Sequence, residues 1–512
     1  MLTRLQSAPA AATWLRARVG PAGRLRSDSR AVRAGDAFIA WPGQAFDARR
    51  AVPAALAAGA AACVVEDDAV AAFEFDDPRI AALPRLQAAS GELADIFYGQ
   101  PSAQLKVLAA TGTNGKTSTT WWLAQTLGAL RQRCAVVGTL GVGELSAVPQ
   151  HSDVSPAALT TPDAISLQTA FFEFVDQGLV ACALEASSIG LVQQRLAGTH
   201  IQVALFTNLT RDHLDFHGDM AAYGAAKRSL FDWPGLQAAV INIDDLFGAG
   251  LAAEMQGRPL DLWTVSTQGP ARLSAQNLRH DAAGLAFDVV EHSPKTAARA
   301  QMRSTLVGEF NANNLLLVIA GLRAVGVPLA EAAAAASNVS PVPGRLQRVQ
   351  LHGKASDVEV LVDYAHTPDA LEKTLRALRP MAAARGGRLW CVFGCGGDRD
   401  SSKRPLMGAI AARAADHVVL TSDNPRSEAP DSILAQILAG VLGHDPVDVK
   451  VDVMAERRAA IQSAVLRARA GDVILVAGKG HETSQEVGGV KTPFSDVDEA
   501  RAALKQRRDN PP

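Results

Sequence analysis

The chain runs to 512 residues, more than one ordinary core organises, which sets an expectation of about three domains. Hydrophobic residues make up 48% and charged residues 20%, a globular rather than a disordered composition. A net charge of −2 excludes a global field for nucleic acid or an anionic membrane, so any anionic substrate must be held by local donors. Between Met1 and Gly20, Arg4, Arg16 and Arg18 interrupt short apolar pieces, and no signal peptide is expected. The Ala-rich run 51–65 contains Pro53 and Gly59 and is too short to span a bilayer. Cys63, Cys134, Cys182, Cys391 and Cys395 show no zinc-type pairing and read as buried thiols of a reducing cytoplasm.

In chain order, the first block ends near Pro101 and holds Asp28-Ser29-Arg30, the Gly35-Asp36-Ala37-Phe38-Ile39-Ala40 stretch, an Ala-rich helix and a strand at 62–65. The second block opens on a short apolar run followed by Thr111-Gly112-Thr113-Asn114-Gly115-Lys116-Thr117-Ser118 and a helical pattern. Strands are expected at 107–110, 134–137, 180–184, 202–206 and 239–243, with helices between most of them, hence a largely parallel sheet. This block closes with a helix after Asn311-Ala312-Asn313-Asn314 and with Pro341-Val342-Pro343-Gly344-Arg345. The third block repeats the α/β pattern, with strands expected at 358–362, 389–393, 417–420 and 473–476. The fold class is therefore α/β in three domains. A small α/β domain spans 1–103, a P-loop-like, mostly parallel domain 104–342, and a Rossmann-like α/β domain 343–512.

In both larger blocks the polar clusters follow strands, where open α/β sheets bind their ligands. The glycines at 112 and 115 let backbone N–H groups close on phosphate oxygens; Lys116 can reach a terminal phosphate, and Thr117 or Ser118 can offer a hydroxyl to Mg²⁺. Ala110 stands where the strict nucleotide-loop pattern has Gly. Glu185, ahead of Ala186-Ser187-Ser188, is placed to hold Mg²⁺, with a capping role as the plain alternative. The segment Asp212-His213-Leu214-Asp215-Phe216-His217 suggests a metal or phosphate site, with His213 as a second cation ligand and His217 structural. From spacing alone, Lys227 reads as a solvated helical lysine. Asp363 can bind a ribose or orient a phosphate, and His366 can contact phosphates. The segments around Arg399, Asp423-Asn424-Pro425-Arg426 and Gly478-Lys479-Gly480-His481-Glu482 can together read a zwitterion: arginine forks a carboxylate, and Asp423 or Glu482 receives an ammonium.

These clusters, in this order, resemble the Mur ligase family, and the likeness covers nearly the whole chain. Asp423-Asn424-Pro425-Arg426 is similar to the signature of members that add diaminopimelate, whose second carboxylate an arginine would meet. The resemblance implies ATP-driven amide formation through an acyl phosphate, with ATP as co-substrate and Mg²⁺, two ions, as cofactor. It implies that Gly112, Thr113, Asn114, Gly115, Lys116, Thr117 and Ser118 hold ATP, helped by Asn311, Arg345 and Asp363. Ser27, Ser29, Gln44, Ala45 and Phe46 would line a uridine diphosphate pocket; Thr160, Thr161, Ser187, Gln193 and Arg195 would hold the muramoyl dipeptide. Arg399, Asp423, Asn424, Pro425, Arg426, Gly478 and Glu482 would bind diaminopimelate. Lys116, Glu185, His213 and Lys227 would be catalytic, with Thr117, Glu185, His213 and Lys227 around the metals. Lys227 would carry an N-carboxylate made with carbon dioxide, which reverses its reading from spacing. Ile189 follows Ser188 where many relatives have histidine, and the Gln44-Ala45-Phe46 loop is less typical. The implied partners are small molecules only, with no nucleic acid or membrane insertion, and the expected state is a cytoplasmic monomer. Competing readings are a lysine-adding ligase, a folylpolyglutamate synthase-like ligase, a small-molecule kinase using the same loop, and a non-catalytic nucleotide-dependent scaffold.

Overall fold

Apolar runs alternating with turn clusters build three main sheets one after another along the chain. The computed structural model describes residues 2–510 apart from 44–45, 146–152, 158, 282–283, 294–296, 352–355 and 444–448. The first sheet holds β1 (Thr3–Arg4), β2 (Leu25–Arg26), β3 (Ala37–Ala40), β4 (Ala62–Glu66) and β5 (Ile80–Leu83), all parallel, in the order β1-β5-β4-β3-β2. Helices α1 (Ala8–Arg16), α2 (Val52–Ala57) and α3 (Leu86–Tyr98) accompany it.

The central sheet holds β6 (Lys106–Thr111), β7 (Cys134–Gly138), β8 (Gly141–Glu144), β9 (Asp153–Ser155), β10 (Ala181–Glu185), β11 (Val203–Phe206), β12 (Ala238–Asn242) and β13 (Asp261–Ser266). It continues through β14 (Leu273–Asp281), β15 (Gly284–His292) and β16 (Ala297–Ser304), in the order β16-β15-β14-β13-β12-β11-β6-β10-β7-β8-β9. Strands β7, β10, β6, β11, β12 and β13 run parallel, while β8–β9 and β15–β16 attach antiparallel. Its helices are α4 (Lys116–Ala129), α5 (Ala164–Asp176), α6 (Ser188–Val192), α7 (Leu214–His217), α8 (Met220–Arg228), α9 (Leu246–Met255), α10 (Phe310–Ala324) and α11 (Leu329–Ser337). Alternation along β6 explains the layering. Leu108 and Ala110 face a core shared with Leu123 of α4 and Leu315 of α10, whereas Val107 and Ala109 face Phe171 of α5.

The third sheet runs β17-β18-β22-β19-β20-β21, from β17 (Gln347–Val349), β18 (Glu359–Asp363), β19 (Leu389–Phe393), β20 (His417–Leu420), β21 (Lys450–Val453) and β22 (Val473–Ala477). Only β17 is antiparallel. A hairpin of β23 (Ser484–Val487) and β24 (Val490–Pro493) follows. The helices are α12 (Pro368–Ala384), α13 (Lys403–Ala414), α14 (Pro430–Leu442), α15 (Arg457–Arg467) and α16 (Asp496–Asp509).

Every strand expected from the sequence has a counterpart. Two details differ. Glu185 and Asp363 are the last residues of their strands rather than the first beyond them, and the Asn311-Ala312-Asn313-Asn314 cluster lies in the first turn of α10 rather than before it. The antiparallel strands β14–β16 were not expected; their polar residues, such as Gln276, Arg279 and Asp288, blur the apolar alternation of a strand. All five cysteines are free and buried, and burial pushes the Cys63, Cys134 and Cys395 thiols up to about 12. Among the described residues no helix is long and apolar enough to cross a membrane.

The first and central units meet closely. Ile165 of α5 belongs to the first unit's core, and Thr169 of α5 lies 3.0 Å from the Tyr98 hydroxyl. A Cβ on Gly91 of α3 would overlap the Ala197 carbonyl. Gly91→Val is therefore expected to destabilise this seam by about 1–3 kcal/mol through overpacking, seen in calorimetry as an earlier transition. Gly250→Ala, in α9 with nothing within 4 Å of the new methyl, is expected to stabilise by about 0.5–1 kcal/mol.

Candidate active site

Strand β6 delivers the chain to a turn that only glycine makes easily. Gly112 has φ 142° and Gly115 φ 88°; a side chain at Gly112 would overlap Thr207 Oγ1, and one at Gly115 would lie 2.5 Å from Asn314 Oδ1. The loop is tied to the end of β11 by Thr113 N–H donating to Asn208 O (2.8 Å) and Asn114 N–H to Asn208 Oδ1 (3.0 Å). Helix α4 then opens at Lys116, so its free N–H groups and dipole face the cavity, the arrangement that holds phosphate. Lys116 Nζ donates to the Gly112 and Thr113 carbonyls, both at 2.8 Å. Ser118 lines the same cavity, whose volume is about 1410 Å³.

Glu185, 1% exposed, closes the floor. Its carboxylate accepts from Thr117 Oγ1 (3.0 Å), Thr139 N (2.8 Å) and Thr139 Oγ1 (3.3 Å), and Arg345 Nη2 donates to Thr117 Oγ1 at 3.2 Å. His213 opens α7 with φ 52°, its Nε2 3.4 Å from Asp212 Oδ2. His217 meets Ser188 Oγ at 3.0 Å, and its ring lies 5.1 Å from the Tyr223 ring. Lys227 is not solvated: it is 1% exposed, its Nζ donates to Gly112 O at 2.7 Å and lies 4.2 Å from the Tyr223 ring centre. Burial first, then the Lys116 charge, pushes its pKa well below the ordinary lysine value. Thr267, Phe310, Asn311 and Asn314 also line the cavity; Asn311 Nδ2 donates to Val307 O (2.8 Å) and its Oδ1 accepts from Asn314 Nδ2 (3.0 Å).

A second cavity of about 760 Å³ lies between the first and central units, lined by Trp41, Gly43, Glu66, Arg85, Asp163 and Gln193. Leu159 and Arg195 line both cavities, so Arg195 stands where they meet. Arg195 is held by Gln193 Oε1 (2.6 Å) and by the Thr161 carbonyl (2.9 Å). Thr161 Oγ1 donates to Glu185 O (2.7 Å) and pairs with Ser187 Oγ (2.9 Å), and Thr160 Oγ1 meets Thr139 Oγ1 at 3.1 Å. Ser27 donates to Asp163 Oδ2 (3.0 Å) across the seam, outside the cavity lining. Ser29 starts a short 3-10 turn and Phe46 is exposed. Gln44 and Ala45 lie outside the described residues.

At the carboxyl ends of β20 and β22 a third cluster forms. Lys479, fully buried, donates to Asn424 Oδ1 (3.0 Å) and Glu482 Oε2 (2.8 Å), and Asn424 Nδ2 donates to the same Glu482 oxygen (2.8 Å). Burial opposes the Glu482 charge, but Lys479 and Asn424 hold its pKa below the ordinary value, whereas burial raises Asp423. Gly478 has φ 115°, and a Cβ there would sit 2.6 Å from Asp423 Oδ2. Pro425 is buried in the turn, and Arg426 Nη1 donates to Gly397 O at 2.6 Å. A Cβ on Gly396 would lie 3.1 Å from Arg426 Nη1 and 3.8 Å from Arg399 Cγ, so both arginines flank one glycine, with Arg399 exposed at the rim.

Tyr364 joins this cluster to the phosphate loop. Its ring lies 5.2 Å from the His481 ring and under the Arg345 guanidinium at 4.4 Å, and it lines the large cavity. His366 Nδ1 is 2.9 Å from Tyr364 O, and burial pushes His366 and His481 down to about 4, so both are neutral near pH 7. Asp363 lines the large cavity, and its oxygens accept from Leu346 N (2.7 Å) and Ala365 N (2.8 Å), fixing the turn that carries Arg345.

Two family models match the chain: the Mur ligase middle domain over residues 110–322, and the Mur ligase glutamate ligase domain over 344–480. A relative from Acidovorax sp. (strain JS42), named UDP-N-acetylmuramoyl-L-alanyl-D-glutamate--2,6-diaminopimelate ligase, is 54% identical over 99% of this chain and 98% of its own. The chain belongs to the Mur ligase family. A relative of the same name from Janthinobacterium sp. (strain Marseille) is 46% identical over 96% of each chain. A solved structure of a protein of that name superposes with a TM-score of 0.63 at 36% identity, covering 95% of both chains.

In a Mur ligase the oxygen donors Thr117 and Glu185 fit Mg²⁺. No group of three or more His, Cys, Asp or Glu forms a cage among the described residues, and Mg²⁺ is characteristically held by one or two carboxylates together with substrate phosphates and water. The sequence reading passed over several residues of the site. Lys479 sits between two glycines of a motif from which only Gly478 and Glu482 were assigned; the flanking glycines were the available signal. Tyr364 carried no signal beyond its place after a strand. Asp369, which accepts from Asn114 Nδ2 at 2.9 Å, looks like an ordinary first-turn acid of α12.

Proposed function

We propose that the chain is an ATP-dependent ligase joining meso-diaminopimelate to the D-glutamyl carboxylate of UDP-N-acetylmuramoyl-L-alanyl-D-glutamate, in peptidoglycan precursor synthesis. The observation that carries this reading is the clustering of Asp423, Asn424, Lys479 and Glu482 beyond the ends of β20 and β22, with Arg426 in the same turn as Asp423 and Asn424. His481, Tyr364 and Arg345 link that cluster to Thr117 of the phosphate loop, in a chain 54% identical to a ligase named for this reaction. The domains are 1–103 for the sugar nucleotide, 104–342 for ATP and 343–512 for the amino acid, and the protein works as a cytoplasmic monomer.

The glutamyl carboxylate attacks the γ-phosphorus of ATP, forming a C–O–P bond as the bond to ADP breaks. Lys116 and the α4 N-terminus face the charge that develops on the transferring group. Arg195, at the junction of the two cavities, orients the peptide end toward it. The amine of diaminopimelate then attacks the acyl carbon, and the tetrahedral intermediate collapses with loss of phosphate and a proton. Arg426 and Arg399 grip the distal carboxylate of the amino acid, while Asp423 and Glu482 receive its ammonium. Holding the acyl phosphate between the two lobes lets the amine reach it before water does.

Thr117, Glu185 and His213 would hold Mg²⁺, and a second ion would be held by Lys227 once its amine has added carbon dioxide and lost a proton to become a carbamate. The ions supply neutralisation of phosphate charge. The depressed pKa of Lys227 supports the modification, because only the neutral amine reacts.

The reading is tested by ADP release from the full-length protein with the UDP-muramoyl dipeptide and a panel of amino acids. Release that needs both the dipeptide and diaminopimelate is expected; release without an amino acid points to a kinase, and preference for lysine or glutamate to a different ligase. Arg426→Ala is expected to raise the diaminopimelate KM about 10- to 100-fold, the scale of one lost bidentate contact, with the ATP KM little changed; equal effects on both would remove Arg426 from specificity. Lys227→Ala is expected to lose most of its turnover and to regain part of it with added short-chain carboxylates. Full activity in that variant would exclude the carbamate.

A further inference from the structure

Behind the acceptor cluster lies an ion pair that no step above uses. Arg457 is the first residue of α15 and Asp496 the first of α16, and both side chains are 0% exposed. Arg457 Nε donates to Asp496 Oδ1 and Nη2 to Asp496 Oδ2, each at 2.7 Å. The rest of the guanidinium faces away from Asp496. Nη1 donates to the Ser422 carbonyl at 3.2 Å and Nη2 to the Ala477 carbonyl at 2.9 Å.

Those two carbonyls are not arbitrary. Ser422 immediately precedes Asp423, and Ala477 immediately precedes Gly478. Ser422 lies two residues past the end of β20 and Ala477 ends β22, strands that are not neighbours in the sheet, since β19 lies between them. One planar group therefore spans a strand and fixes the take-off points of both acceptor loops. Four of its five N–H groups are used, a pattern the three-fold ammonium of lysine cannot copy. The anchor is itself fixed. Glu456 caps α15 by accepting from Arg458 N (3.0 Å) and Ala459 N (2.7 Å), Ser495 caps α16 (3.3 Å to Asp498 N), and Phe494 N–H donates to Thr483 O at 3.0 Å.

A buried ion pair is poor evidence of stability, because desolvating both charges offsets most of their attraction. What this pair provides is geometry. We propose that Arg457 and Asp496 are positioning residues for the amino-acid acceptor, setting the spacing between the Asp423-Asn424 loop and the Gly478-Lys479 loop. This rests on the reading of that cluster as the acceptor site.

The test uses the full-length protein carrying Arg457→Lys, and the double variant Arg457→Met/Asp496→Leu, which removes the fork without leaving a lone buried charge. The KM values for diaminopimelate, ATP and the UDP-muramoyl dipeptide are measured with kcat and the melting temperature. Both variants are expected to raise the diaminopimelate KM by at least about tenfold, the loss of one charge-assisted bond, with the other two KM values within about twofold of the parent's, the scatter expected for unrelated sites. Three KM values rising together, an unchanged acceptor KM in a variant that melts like the parent, or failure of both variants to fold would each overturn the proposal and leave the pair a strut of the core. If the parent itself ignores diaminopimelate, the function reading fails instead, and the amino acid that it does accept replaces diaminopimelate in the same comparison.

Discussion

Two lysine side-chain amines share one backbone carbonyl. Lys116 and Lys227 both donate to Gly112 O, at 2.8 and 2.7 Å, from opposite walls of the cavity. Burial lowers the pKa of both, and Lys116 works further against a charge on Lys227. Such a place tolerates two cations badly and welcomes anions. Glu185 and Asp212 supply part of that compensation from the protein. The demand for negative charge at this point accounts for the Glu185 and Asp212 carboxylates standing beside the two lysines.

Much of this was legible in the chain before any coordinates. Buried parallel strands are short uniform apolar runs, so 107–110, 389–393 and 473–476 announced themselves, and the polar residues after them marked the cleft. The two-residue strands β1 and β2 and the polar-interrupted β14 to β16 carry no comparable period. Lys227 shows the limit most clearly. Its position in α8 looks like any exposed lysine, and only the packing of Tyr223 and the return of β6 bury it; family likeness, not spacing, pointed to it. Asp363 shows the converse, a carboxylate that looks free after a strand yet accepts one N–H from its own turn and one from the turn that carries Arg345.

The third unit is built differently from the phosphate loop. Its polar cluster is held by rigid side chains at several loop ends rather than by a flexible backbone cradle. Buried cations do this repeatedly. Arg404 donates to the Glu428 carboxylate at 2.8 Å and to Gly396 O at 3.1 Å, Lys479 ties Asn424 to Glu482, and Arg457 reaches two carbonyls at once. In each case a charge taken out of water is retained where a loop must not drift.

The seams between units are unequal. The first and central units share a core residue, Ile165, and pack so closely at Gly91 that no side chain fits. The hydrogen bonds that tie the third unit to the central one include Asn114 to Asp369, Arg345 to Thr117 and Arg211 to Ser402. Val307 of the central unit also enters the third unit's core, so this seam is part apolar and part hydrogen-bonded. A compound wedged between Asn114 and Asp369 would part the two units right beside the glycine loop.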